Sequence, residues 1–188
     1  MKRIAILGGT FNPPHLGHLI IANEVQMQLN YDEIWFMPNQ EPPHKQTLEG
    51  VSGHHRSEMV KRAIADNSMF KLQMIELERP GRSYTFDTMK LLKERYDYRF
   101  SFIIGADMIE YLPKWYKIEE LIKIVTFVGV NRPEYDIQSD YPIIYVDVPN
   151  IEISSLMIRN RLKEGKSIRY FVPDSVMEYI EENRLYET

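Results

Sequence analysis

The sequence predicts an α/β fold: a doubly wound, mostly parallel sheet with helices on both faces. Three observations point there. Short apolar runs alternate with stretches of helical period almost throughout the chain. The runs are apolar at nearly every position, as strands covered on both faces must be. The first of them ends at Gly8-Gly9 and leads within a few residues into a helix, the strand–turn–helix order of a crossover unit.

Taken in order, Ile4–Leu7 reads as the first buried strand, and Leu16–Leu29 as a helix with Ile21, Val25 and Leu29 on one face. Glu33–Met37 is a second strand closed by Pro38. Residues 39–53 are polar, with Pro42-Pro43 and two glycines, and read as a loop. A helix follows at about His54–Asp66, then a strand at Met69–Ile75. The turn Glu78–Ser83 precedes a helix at Tyr84–Tyr96, where Met89, Leu92 and Tyr96 stack. Arg99–Ile104 is a strand running into Gly105-Ala106-Asp107. A short helix at Ile118–Ile122, strands at Val125–Val130 and Pro142–Val148, and helices at Ser155–Glu164 and Asp174–Glu182 complete the pattern.

A chain of 188 residues suits one domain, spanning 1–188. Its 44% hydrophobic and 27% charged content is that of a soluble globular protein. A net charge of −4 argues against bulk electrostatic binding of nucleic acid. There is no cysteine, which excludes disulfides, thiolate zinc sites and thiol nucleophiles and fits a reducing, cytoplasmic setting. The apolar run after Met1 is too short for a signal segment, and no stretch is long enough to span a membrane. The Tyr- and Met-rich final segment fits an interface between copies as well as it fits a core, so a homo-oligomer stays open.

The segment carrying most chemistry is Gly8-Gly9-Thr10-Phe11-Asn12-Pro13-Pro14-His15-Leu16-Gly17-His18. It falls at the carboxyl edge of the expected sheet, where open α/β sheets bind ligands. A helix start offers N–H groups and a positive dipole end to phosphate, and the two glycines allow close backbone approach. Pro13-Pro14 stiffen the bend, and His15 and His18, three residues apart, lie on one side of the helix start. Two imidazoles there are suited to stabilising phosphate charge in a transition state. A tight turn with two surface histidines is the plainer alternative.

Competing motifs fail. The dinucleotide fingerprint Gly-x-Gly-x-x-Gly is absent. Gly165-Lys166-Ser167 imitates the end of a phosphate-binding loop, but position 160 is Asn and the segment ends a helix. No third ligand accompanies His15 and His18, so no protein-held metal is expected. His54 and His55 read as surface residues of a helix cap.

The string resembles the HxGH signature of the nucleotidyltransferase superfamily. The likeness covers most of the chain and is closest to the bacterial nicotinate-mononucleotide adenylyltransferase branch. It continues through Pro38-Asn39 with Pro42-Pro43-His44-Lys45, through Ser83-Tyr84-Thr85-Phe86-Asp87-Thr88, through Gly105-Ala106-Asp107 with Trp115, and through Ile153-Ser154-Ser155 with Ile158-Arg159. The resemblance implies a Rossmann-like domain in which an anionic mononucleotide phosphate attacks the α-phosphate of ATP in line, releasing pyrophosphate in a step of NAD biosynthesis. ATP and nicotinate mononucleotide are the implied partners, and Mg²⁺ is expected with ATP, without a protein ligand.

It also implies roles. His18 and His15 resemble the pair on the ATP phosphates, with Lys45 and Arg159 as further catalytic cations. Gly8, Gly9, Thr10 and Phe11 resemble the turn holding ATP, and Gly105 and Asp107 the strand end meeting its ribose. Ser154, Ser155 and Arg159 resemble a second phosphate site, so that the helices from about residue 154 complete the centre. For Ser154 and Ser155 a plain helix cap is the alternative. Tyr84, Thr85, Trp115, His44 and Lys45 resemble the nicotinate site, and a core tryptophan is the alternative for Trp115. Backbone N–H groups near Tyr84–Thr85 imply preference for the acid over the amide mononucleotide. Two positions depart from the pattern: Asn12 replaces a common Asp, and Leu156 a common Thr. Other acceptors within the superfamily, such as phosphopantetheine, and a nucleotide sensor without turnover are the remaining alternatives, and the loop 39–53 is expected to act as a lid.

Overall fold

The computed structural model describes residues 1–40, 51–131 and 139–187. Six strands form one sheet in the order β3-β2-β1-β4-β5-β6, every pairing parallel. They are β1 (Arg3–Gly9), β2 (Glu33–Pro38), β3 (Phe70–Leu72), β4 (Arg99–Gly105), β5 (Thr126–Asn131) and β6 (Ile143–Asp147). Helices α1 (Leu16–Leu29), α2 (Gly53–Ala63), α3 (Thr85–Arg95), α4 (Ala106–Tyr111), α5 (Ile118–Ile124), α6 (Ser155–Lys163) and α7 (Asp174–Glu182) connect and cover it. The strand order reverses between β1 and β4, so the crevice above that pair is the topological switch point.

Strand alternation sorts the core into two layers. Ala5, Leu7 and Ile103 face one side with α1, α2, α6 and α7, where Val25, Met59, Ile158 and Val176 are buried. Ile4, Ile6, Phe102 and Ile104 face the other with α3, α4 and α5, where Met89, Leu92, Ile109 and Leu121 are buried. Among the described residues no helix is long and apolar enough to cross a membrane.

The expected elements are present, with three differences. The strand expected at Met69–Ile75 pairs only over Phe70–Leu72. Gln73 then donates its N–H to Phe36 O at 2.8 Å, and its own side chain accepts from the Ile75 N–H at 3.0 Å, which turns the chain off the sheet edge. Helix α2 ends at Ala63 instead of Asp66, because Ala65 and Asn67 bond only three residues back. Helix α4 and the 3₁₀ turn Leu112–Lys114 leave no periodic mark in the sequence. Six residues followed by Pro113 are too few to display a period.

Candidate active site

The bend between β1 and α1 is shaped by packing. A Cβ on Gly8 would sit 2.8 Å from the tip of the Phe102 ring, and one on Gly9 3.2 Å from Phe11. These glycines make room for aromatic rings, a reason the sequence does not display. Phe11 takes a left-handed φ of 51°, unusual for a side chain of its size, and its ring lies buried, edge-on to His18 at 4.9 Å. His15 is the N-cap of α1.

The two imidazoles stack, with ring centroids 3.7 Å apart and planes 25° from parallel. The His15 N–H donates to His18 Nδ1 at 3.1 Å. That bond makes Nδ1 an acceptor, so a neutral His18 carries its proton on Nε2. His15 is buried, and its Nδ1 has no hydrogen-bond partner among the described residues. Gly17 is the residue that lets the ring lie there, since a Cβ on it would stand 3.0 Å from two atoms of the His15 ring. The helix start itself is partly occupied: the Leu16 N–H donates to Phe171 O at 2.9 Å and the His18 N–H to the cap carbonyl at 3.0 Å.

Burial lowers the pKa of His15 to about 4, and burial together with neighbouring His15 holds His18 well below the usual imidazole value. Both rings are therefore neutral at pH 7. The unfolded chain binds protons on these rings near pH 6.5 while the folded chain does not, so the folded state loses stability as pH falls from there toward 4. His15 alone is expected to contribute about 3 kcal/mol across that window. Urea unfolding at pH 7 and pH 5 is expected to show about 2 kcal/mol of it, and a His15→Gln variant to shrink the dependence to the share of His18.

A cavity of about 620 Å³ opens at the carboxyl edge above β1 and β4. His15, His18, Gly17, Gly105 and Asp107 line it, and Glu110, absent from the sequence reading, joins them. The apolar wall opposite includes Val148, Ile151 and Ile153. Asp107 is exposed, and its Oδ1 lies 3.0 Å from where a Gly105 Cβ would be, so this glycine clears space for the carboxylate.

Helix α6 meets the bend from the far end of the sequence. Ser154 caps it, accepting from Met157 N at 3.1 Å, which is the plain capping role. Ser155 Oγ donates to Pro13 O at 2.8 Å, and Arg159 Nη1 to Asn12 O at 2.8 Å. Leu156 is 59% exposed and takes no part in these contacts. Arg56 of α2 joins the site from a position outside the motifs. Its guanidinium, 4% exposed, donates from Nη1 to Thr10 O and from Nη2 to Asn39 O, both at 2.8 Å. A signal for it existed: Arg56, Met59, Val60 and Ala63 are a buried stripe at helical spacing, with one charged member.

Tyr84, Thr85 and Trp115 lie outside the cavity lining, on the Phe102 side of the sheet. Tyr84 is the N-cap of α3, Thr85 its first residue, and the Tyr84 and Tyr116 rings are 4.9 Å apart. Buried Glu76 braces this helix start, accepting from Thr88 Oγ1 at 2.8 Å; burial pushes its carboxyl pKa up. Half-buried Trp115 packs edge-on against Phe102 and Phe127 at 6.0 and 5.8 Å, and its buried Nε1 has no partner among the described residues. Since Phe102 also fills the space at Gly8, a single ring separates Trp115 from the first glycine of the bend. His44 and Lys45, and most of the expected lid, lie outside the described residues.

Residues 6–161 match the model of the cytidylyltransferase-like family. The chain is 57% identical over its full length, and that of the relative, to a nicotinate-nucleotide adenylyltransferase of Bacillus subtilis. It is 51% identical to a probable nicotinate-nucleotide adenylyltransferase of Oceanobacillus iheyensis, over 99% of this chain and 97% of that one. Among solved structures, a putative nicotinate-nucleotide adenylyltransferase from Vibrio parahaemolyticus aligns with a TM-score of 0.73 at 26% identity, covering 100% and 98% of the two chains. A Plasmodium falciparum nicotinic acid mononucleotide adenylyltransferase complexed with NaAD has the same fold, with a TM-score of 0.80 at 24% identity over 99% and 98%. A six-stranded parallel sheet with its HxGH bend at the switch point, matched over the whole length by these relatives, places the chain in the cytidylyltransferase-like family, among the members named nicotinate-nucleotide adenylyltransferase.

Proposed function

We propose that the chain transfers the adenylyl group of ATP to nicotinate mononucleotide, forming nicotinate adenine dinucleotide and pyrophosphate. The observation that carries this is the stacked, neutral histidine pair at the cavity, with the His18 proton on Nε2 and its Nδ1 committed to the His15 N–H. A fixed neutral donor suits a reaction in which negative charge builds on a phosphoryl oxygen. The attacking mononucleotide phosphate is already an anion, so the site needs placement and charge stabilisation more than a general base.

Adenosine is assigned to the cavity, near Gly105 and Asp107, and the phosphates to His15, His18 and the Ser155–Arg159 side of α6. The pyridine ring is assigned to the opposite face, near Tyr84, Thr85 and Trp115. The dinucleotide then crosses the sheet edge over Gly8 and Gly9. Mg²⁺ is expected to arrive on the ATP phosphates, where it bridges phosphate oxygens and keeps several waters. ATP as substrate and the absence of cysteine support a cytoplasmic setting.

The first turn of α3 has N–H groups without helical partners, which a carboxylate satisfies and the N–H side of an amide does not. A buried donor left unpaired costs about 1–3 kcal/mol, so nicotinate mononucleotide is expected to outperform nicotinamide mononucleotide roughly 5- to 150-fold in kcat/KM. Pyrophosphate release with ATP and Mg²⁺, measured with each acceptor, tests both points. Equal rates would remove the carboxylate argument. No release with either, from protein that binds ATP, would overturn the reaction.

A further inference from the structure

Three side chains from distant parts of the chain grip residues 10–13 through backbone carbonyls: Arg56, Ser155 and Arg159. A fourth contact differs in kind. Tyr186, in the turn after α7, donates its hydroxyl to the side-chain Oδ1 of Asn12 at 2.5 Å, across 174 positions of sequence. Asn12 is 2% exposed, so this bond sets the rotamer of a buried amide. Asn12 directly follows Phe11, whose ring packs on His18 at 4.9 Å.

The turn that delivers Tyr186 adopts an unfavourable backbone to do so. Arg184 and Tyr186 have φ of 49° and 66°, in the left-handed region that side chains disfavour. Between them Leu185 is buried, and its N–H bonds to Ile180 O at 3.0 Å, which anchors the turn. Burial raises the phenol pKa of Tyr186, so the hydroxyl keeps its proton and remains a donor.

We infer that Tyr186 is a positioning residue for adenylyl transfer: its hydrogen bond to Asn12 fixes the Phe11 ring and, through it, the imidazole of His18. This rests on the reaction proposed above. The hydroxyl acts through Asn12 and Phe11, so its loss acts on the alignment of His18 and not on substrate affinity.

The test uses the full chain with Tyr186→Phe, Asn12→Ala and the double variant. Tyr186→Phe keeps the ring in its turn and removes only the donor, and a thermal melt confirms folding. Its kcat is expected to fall roughly 10- to 100-fold, the effect of a small misalignment at a distance. KM for ATP is expected to stay near the wild-type value. The double variant should be no slower than the slower single variant, because both changes break one bond. Wild-type kcat in Tyr186→Phe, or losses that multiply in the double variant, would overturn the inference. The ring ¹⁵N resonances of the ligand-free protein read the same coupling without turnover. A displaced His18 signal in Tyr186→Phe supports the inference, and an unmoved one counts against it, even if the wild-type chain released no pyrophosphate and the proposed reaction itself failed.

Discussion

His18→Ala is expected to lower kcat at least roughly 100-fold while leaving the protein folded, as removal of one preorganised donor to a developing oxyanion does. The ring is held on three sides: stacked on His15, edge-on to Phe11, and bonded through Nδ1 to the His15 N–H. Only Nε2–H is left to reach outward. An alanine removes that donor and frees the His15 ring from its stack, so the two imidazoles fail together. Because the contact matters most at the transition state, kcat and kcat/KM should fall in parallel. Steady-state pyrophosphate release with a thermal melt of the same sample checks this. A folded variant with a near-normal rate would remove His18 from the chemistry.

Arg56→Leu is expected to be the most damaging change to stability among the residues that shape the bend, at about 2–4 kcal/mol. The substitution keeps the apolar stem and leaves two carbonyls, Thr10 O and Asn39 O, without their donors. Each buried acceptor left unpaired costs about 1–3 kcal/mol. Removing a cation that burial already disfavours offsets part of this loss, consistent with a guanidinium pKa lowered by its surroundings. For a chain of this size the midpoint of thermal unfolding should drop roughly 5–15 °C. A midpoint within a degree or two of wild type would show that the carbonyls find water or other donors.

Much of this architecture was legible in the residues. Ile4–Leu7, Glu33–Met37 and Arg99–Ile104 announced buried parallel strands because strands covered on both faces cannot hide an apolar run among polar positions. The HxGH bend placed His15 and His18 on one helix turn, and they are found stacked there. Short elements escaped: α4 is barely longer than one turn, and periodicity needs more than that to register. Gly8 and Gly17 were visible as glycines, but their reasons were not. Phe102 and the His15 ring fill the space a side chain would need, and those neighbours follow only from the folded chain. Tyr186 gave no local sign, since its partner is 174 positions away. Arg56 sat in plain view as a charge on an apolar stripe, the pattern most worth pursuing in related chains.

The straps on the bend also set an order of events in folding. Local strand and helix pairings, such as β1 with β2 through α1, close short loops and form early. The contacts that hold Asn12 and Pro13 from α6 close loops of 147 and 142 residues, whose ordering entropy is recovered only when the last layer docks. Competence is therefore expected to arrive after compactness, with the sheet in its native shape before the histidines are in theirs. A chain caught with α6 undocked keeps the sheet and lacks the active bend, so recovery of activity should lag behind recovery of secondary structure when the unfolded protein is returned to native conditions.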